Sequence, residues 1–136
     1  KRAAGRSPSK LYLKPGQSIN VEQAIYALVT KSANDVATAV AEKLAGTERK
    51  FAKRMTRKAK SLGMTRTTFM NASGLPNRQQ RSTARDMARL AIAIRRDFPQ
   101  FYKFFSTESF SWKGRRFKNN NQLLANYSGT DGIKTG

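Results

Sequence analysis

The residues in this sequence with the most chemistry to offer stand at two places. Ser32 and Asn34 lie within Lys31-Ser32-Ala33-Asn34-Asp35, and Lys134 and Thr135 lie in the closing Lys134-Thr135-Gly136. The chain contains no His and no Cys. A Ser-His-Asp triad, a thiol nucleophile, a Cys-rich zinc site and a disulfide are therefore excluded. If a serine does hydrolytic chemistry here, its base must be a lysine or a carboxylate. Either triplet alone is a weak signal, because Ser32 and Asn34 also suit a helix cap and a helix start.

The elements that must position these residues follow from periodicity. Asn20 with Gln23 reads as a capping pair. Val21, Ala24, Ile25, Leu28 and Val29 then fall at i, i+3, i+4, i+7 and i+8, one apolar stripe of a helix that delivers the chain to Ser32. A second helix is predicted from about Asn34 to Ala45, carrying a small-residue row of Ala33, Ala37, Ala41 and Ala45 and stopped by Gly46. Thr47 caps a third helix that ends near Leu62-Gly63, with Phe51, Met55, Ala59 and Leu62 facing inward and the other faces rich in Arg and Lys. Residues 64–70 read as extended, and residues 71–77 as turn. Thr83 with Asp86 opens a fourth helix, along which Met87, Leu90, Ala91 and Ile94 align. Pro99 starts a short aromatic helix over Gln100 to Phe105. Phe110, Trp112 and Phe117 around Lys113-Gly114 form a hairpin. Leu123-Leu124 reads as a buried anchor, and Ile133 as the start of a strand. Near the beginning, Lys14-Pro15-Gly16-Gln17 is a turn with Pro and Gly at its two central positions.

The 136 residues suffice for one domain with a core, and no linker long enough to separate domains interrupts them. The 27 Lys and Arg against 8 Asp and Glu give a net charge of +19, which implies affinity for something anionic and says nothing about fold. No apolar run is long enough for a membrane-spanning helix. Lys1-Arg2-Ala3-Ala4-Gly5 is basic but lacks the apolar stretch of a signal peptide.

In order and in spacing, these segments resemble the D-alanyl-D-alanine carboxypeptidases, the low-molecular-mass penicillin-binding proteins of serine peptidase family S11. Such proteins use an S-x-x-K, S-x-N and K-T-G set. The resemblance runs through Leu13-Lys14-Pro15-Gly16, Ser32-Ala33-Asn34-Asp35, Leu62-Gly63-Met64, Gly74-Leu75-Pro76, Ser82-Thr83-Ala84-Arg85-Asp86, Phe105-Ser106-Thr107 and Asp131-Gly132-Ile133-Lys134-Thr135-Gly136. It implies an α+β, mostly helical fold: the helical part of the β-lactamase/penicillin-binding-protein (DD-peptidase) fold plus the edge of its antiparallel sheet, with residues 1–136 forming a partial catalytic domain. It also implies an enzyme of the periplasm or another extracytoplasmic space that cleaves peptidoglycan pentapeptides through an acyl-enzyme. Such an enzyme is a β-lactam target and needs no cofactor or metal.

By the same resemblance, Ser32 relays a proton between the nucleophile, the two lysines and the leaving amine. Asn34 bonds a substrate amide, Lys134 holds Ser32, Thr135 binds the terminal carboxylate, and Gly136 lets the backbone lie against substrate. The S-x-x-K pair is missing from its expected place. Ser7-Pro8-Ser9-Lys10 matches the pattern but stands too close to Ser32 for the intervening helix, so it is not taken as the nucleophile. The chain then reads as an internal fragment, inactive by itself and prone to self-association or to pairing with the rest of its domain. Asn120 stands in the middle of an Asn-x-Asn loop where relatives often carry Arg or His. Asp35 and Asp131 read as structural, and Asp86 as a helix cap. The competing reading is a basic module for nucleic acid or an anionic surface; it explains the charge but not the two triplets, and no specific nucleic-acid motif is present.

Overall fold

The computed structural model describes residues 3–5 and 9–135, arranged in two compact units. One unit is built from the chain up to Ala37 together with the chain from Gln100 onward, and the other from Thr38–Pro99. The element order is α1 (Val21–Tyr26), α2 (Asn34–Ala45), α3 (Glu48–Ser61), α4 (Ala84–Asp97), β1 (Ser109–Trp112), β2 (Arg115–Lys118) and α5 (Leu123–Asn126). A 3-10 helix over Pro99–Ser106 joins α4 to the hairpin. This mostly helical body with one two-stranded antiparallel sheet is the expected fold class.

In the first unit, Leu11 and Leu13 are buried on an irregular segment, and Tyr12 between them, at φ 63°, faces outward. The turn at Lys14 is closed by a hydrogen bond from Gln17 N–H to Lys14 O (3.0 Å), with Gly16 at φ 81° as its third residue requires. Asn20 caps α1, its Oδ1 accepting from Gln23 N–H at 2.8 Å. The α-helix is shorter than the apolar stripe suggested. It gives way after Tyr26 to a π-helical turn over Ala27–Lys31. Within the π-turn Ala27 and Thr30 are fully enclosed, whereas Val21, at the first position of α1, is 78% exposed. The β1–β2 hairpin packs on this π-turn. Phe110 and Phe117 are paired across the strands and stacked at 5.5 Å, and Tyr26 lies edge-on to Phe104 at 4.9 Å. Lys113 and Gly114 both take positive φ, the conformation of the tight hairpin turn that matches strand twist. Leu123 is 58% exposed, so it is not the anchor its apolar character suggested, and Ile133 lies on irregular backbone rather than a strand.

The buried apolar residues of the second unit include Ala41 of α2, Ala52 and Ala59 of α3, Met64 just beyond α3 and Ala93 of α4. Thr47 and Thr83 cap α3 and α4 as read from sequence, accepting from Lys50 N–H at 3.2 Å and Asp86 N–H at 3.1 Å. Residues 64–70 contribute only a single bridge, Thr68 to Arg81. Their polar groups bond to the flanking helices instead: Phe69 N–H donates to Thr56 Oγ1 of α3 at 2.9 Å, and the fully buried Thr67 donates its hydroxyl to Asp86 at 2.8 Å.

Asp86 is not the helix cap expected: Thr83 caps the helix by accepting from Asp86 N–H. Its buried carboxylate turns away from the cap and accepts from Thr67 Oγ1 (2.8 Å) and Arg66 N–H (2.9 Å), and it pairs with Arg89 at 3.2 Å. Burial alone would raise its pKa. The Thr67 and Arg66 hydrogen bonds, with the Arg89 charge, outweigh that and hold it below the usual carboxylate value. A carboxyl with a depressed folded-state pKa contributes stability above its unfolded value, about 3.9, and loses it as pH falls through the folded value. Urea unfolding of Asp86→Asn is accordingly expected to show lower stability than wild type at neutral pH and a shallower decline below about pH 4. Identical acid profiles for the two proteins would show that Asp86 does not carry this linkage.

Candidate active site

The Ser32 region is shaped by an unusual backbone. Ser32 takes φ 56°, ψ 43°, the left-handed conformation that costs a non-glycine residue roughly 1 kcal/mol or more. It sits between the π-turn and α2, and both Ser32 N–H and Ala33 N–H donate to Ala27 O. Such π-turns recur at functional positions because the added residue re-aims the side chains beyond it.

Three elements hold this turn. Ser9 Oγ donates to Lys31 O at 2.6 Å, and Asn34 N–H donates to Ser9 O at 2.8 Å, so the segment before Leu11 clasps both sides of Ser32. Asp35, fully buried at the start of α2, accepts from Leu11 N–H and Leu13 N–H, each at 3.0 Å. Its structural reading therefore stands. From the other side, Asn120 N–H donates to Thr30 O at 3.0 Å and Asn120 Nδ2 reaches Lys31 O at 3.5 Å.

The same asparagine loop reaches the second triplet. Asn121 Nδ2 lies 3.5 Å from Gly132 O, two residues before Lys134. Asn119 Nδ2 donates to Thr107 O at 2.8 Å, and Asn119 Oδ1 accepts from Asn121 N–H at 2.8 Å, which fixes the loop itself. Gly132 is required at its position. A Cβ there would lie 3.0 Å from Phe105 Cβ, against the aromatic helix. The loop also borders an open cleft of about 950 Å³ walled by Lys31, Arg116 and Lys118.

Ser32 is half-buried, and its hydroxyl forms no hydrogen bond with another described residue. Asn34 is buried at the first turn of α2. Lys134 Nζ donates to Thr135 O at 2.6 Å, with no direct bond to Ser32 among the described residues. Thr135 is half-buried. Gly136 and Ser7 lie outside the described residues. Ser9 and Lys10, the rest of the S-x-x-K lookalike, have other partners: Ser9 is spent on Lys31 O, and Lys10 Nζ sits 5.4 Å from the centre of the Tyr12 ring. Sequence reasoning missed Ser9, Asn120 and Asn121 as supports of Ser32. The run of three asparagines was the available signal, since such side chains bond backbone at turns.

The Lys134 side chain is exposed overall, yet its ammonium is desolvated enough to lower its pKa. The folded state thus binds this proton less tightly than the unfolded chain, so the charged form opposes folding at low pH and the penalty fades as pH rises through the folded value. The neutral amine is also the reactive form. Competitive acylation with acetic anhydride near neutral pH should modify Lys134 faster than a lysine in a model peptide; equal rates would remove the desolvation argument.

A family model described as D-alanyl-D-alanine carboxypeptidase, peptidase family S11, matches residues 1–136. The D-alanyl-D-alanine carboxypeptidase DacC of Escherichia coli K12 is 38% identical over 132 residues, covering 96% of this chain and 33% of DacC. DacF of Bacillus subtilis 168 is 35% identical, covering 98% of this chain and 36% of its own length. Among solved structures, the carboxypeptidase DacD from Francisella tularensis superposes with a TM-score of 0.96 at 27% identity, over 100% of this chain and 46% of that one. Penicillin-binding protein D2 from Listeria monocytogenes, solved in an ampicillin-bound form, gives 0.83 at 33% identity, over 96% of this chain and 55% of that one. The chain spans about a third of the length of the curated relatives it matches. With its whole length matched by one family and its fold shared with solved members, this chain belongs to peptidase family S11, the D-alanyl-D-alanine carboxypeptidases.

Proposed function

We propose that the full-length protein containing this chain is a serine-type D-Ala-D-Ala carboxypeptidase. It acts outside the cytoplasm on peptidoglycan pentapeptides, and β-lactams acylate it in place of substrate. The observation that carries this reading is the asparagine loop. Its bonds to Thr30 and Lys31 on one side and to Gly132 on the other tie the Ser32 turn and the Lys134-Thr135 segment to one support.

In this reading, the hydroxyl of a nucleophilic serine adds to the carbonyl between two D-alanines. The C–N bond then breaks and the terminal D-alanine leaves as an amine. That amine needs a proton, and Ser32 passes one on: a hydroxyl accepts on one lone pair while donating its own hydrogen. Lys134 supplies positive potential beside it, and its lowered pKa brings the amine closer to proton exchange. Thr135, with that potential, takes the terminal carboxylate of the substrate. Asn34 bonds a substrate backbone amide, and Gly136 lets the chain lie close alongside. Family resemblance and the shared support favour this reading over a basic binding module, which gives Ser32 and Lys134 no role.

Intact-mass spectrometry after incubation with benzylpenicillin tests it. The full-length protein should gain one penicilloyl mass, and Ser32→Ala should slow that gain by about a hundredfold or more, the usual scale for losing a positioned proton-transfer group. The isolated 136-residue chain should gain none, because its one S-x-x-K match, Ser7-Pro8-Ser9-Lys10, is not the nucleophile. A full-length protein that takes no adduct would defeat the proposal. An adduct on the isolated chain abolished by Ser7→Ala would reassign the nucleophile.

A further inference from the structure

Helix α3 carries Arg49, Lys50, Lys53, Arg54, Arg57, Lys58 and Lys60 among its 14 residues, and all seven are exposed. Its one acid, Glu48, is buried and turned inward, 3.3 Å from Ala72 N–H and 3.5 Å from Thr38 Oγ1. Arg49, Lys53 and Arg57 stand at successive i+4 positions, a row with a step of about 6 Å along the axis. Like charges so spaced on a helix repel one another, and cations at its N-terminus also oppose its dipole. None of Arg49, Lys50, Lys53 or Arg57 is paired with a carboxylate among the described residues. The folded unit therefore supplies no counter-charge for them.

These cations border a feature with room for a ligand. An open groove of about 720 Å³ runs beside α3, walled by Arg49, Lys50, Lys53, Arg54 and Arg57, with no acidic residue lining it. Arg54 is fixed there by donating to Leu44 O. A row of cations along a groove suits a flexible chain that carries an anion at each repeat, because each neutralised charge releases a counterion. The groove does not suit a lipid surface. A helix lying on a membrane needs apolar side chains projecting beside its cations, whereas Phe51 and Met55 are half-buried and line a separate cavity toward Leu90. Nor does it suit nucleic acid bases, which bind single-stranded sites by stacking on free rings. The ring at this groove, Phe69, is half-buried and shared with the Leu90 cavity.

We infer that the α3 groove binds a base-free phosphodiester polymer, a polyol-phosphate chain, through the Arg49–Lys53–Arg57 row. The site is separate from the peptidase reading and does not depend on it.

Equilibrium binding of poly(glycerol phosphate) to the full-length protein across a salt series tests the inference. The logarithm of the binding constant should fall against the logarithm of salt with a slope of about −3, as four or five phosphate contacts on a single chain require. The triple variant Arg49→Gln, Lys53→Gln, Arg57→Gln keeps helix propensity. It should bind at least about tenfold more weakly at low salt and lose about two units of that slope. A charge-matched control, Arg78→Gln, Arg81→Gln, Arg85→Gln, changes exposed residues outside the groove and should bind within about twofold of wild type. Circular dichroism and thermal melts confirm that both variants are folded. Equal weakening by the two triples would reduce the effect to net charge and overturn the site, as would no weakening by the α3 triple. Equal or tighter α3-dependent binding of a single-stranded oligonucleotide with the same number of phosphates, or α3-dependent binding to anionic phospholipid vesicles in preference to the polymer, would overturn the assigned ligand.

Discussion

One buried carboxylate sets the geometry around the Ser32 turn. Asp35 is fully enclosed in the first turn of α2, where the helix dipole favours a negative charge. It holds the N–H groups of Leu11 and Leu13 and its neighbour Val36 N–H. The two leucines are core residues on an irregular segment that turns at Tyr12 (φ 63°) and pairs with no strand among the described residues, so their N–H groups look to a side chain for an acceptor. Leaving such a group unmet costs about 1–3 kcal/mol. With Asp35 in place, the same segment puts Ser9 against both Lys31 O and Asn34 N–H. A single anion thus couples the core, the start of α2 and the residues flanking Ser32.

That coupling explains how the left-handed Ser32 is maintained. Strain of this kind persists where the surroundings over-determine it, and four polar groups do so here: Ala27 O beneath, Ser9 before, Asn120 beside and the α2 N-terminus after. Electrostatics then add to geometry. Lys134 lies on a segment held by Asn121 and by the close packing of Gly132 against Phe105, and the partial desolvation of its ammonium weakens its hold on the proton. The second unit contributes a different property. Glu48 is turned inward and Asp86 and Asp97 are paired with Arg89 and Arg96, while the cations of α3 face solvent.

Much of this was legible in the sequence, for identifiable reasons. The caps Asn20, Thr47 and Thr83 are short-range hydrogen bonds, so their residue types announce them. The hairpin is announced by alternating aromatics around Lys113-Gly114. The π-turn was not legible. A stripe at i, i+3, i+4 and i+7 fits a regular helix equally well, and the hairpin that packs on residues 27–31 is distant in sequence. Asp86 was read as a cap because Thr83 precedes it by three residues, yet its carboxylate serves Arg66 and Thr67 instead, partners that no local pattern reveals. Leu123 was misplaced because apolar character alone does not fix burial. At the candidate site, Ser32 and Lys134 are proposed from their motifs, while Ser9, Asn120 and Asn121 act through backbone contacts that emerge only with the fold.

The central claim is that Ser32 and Lys134 act on one proton path. A double-mutant cycle on the rate of benzylpenicillin acylation of the full-length protein measures this directly, using Ser32→Ala, Lys134→Ala and the pair. Groups that work as a unit are strongly non-additive. The account predicts that the double variant is acylated no more than a few-fold more slowly than the slower single variant. Losses that multiply across the two positions would mean that Ser32 and Lys134 act independently and would contradict it.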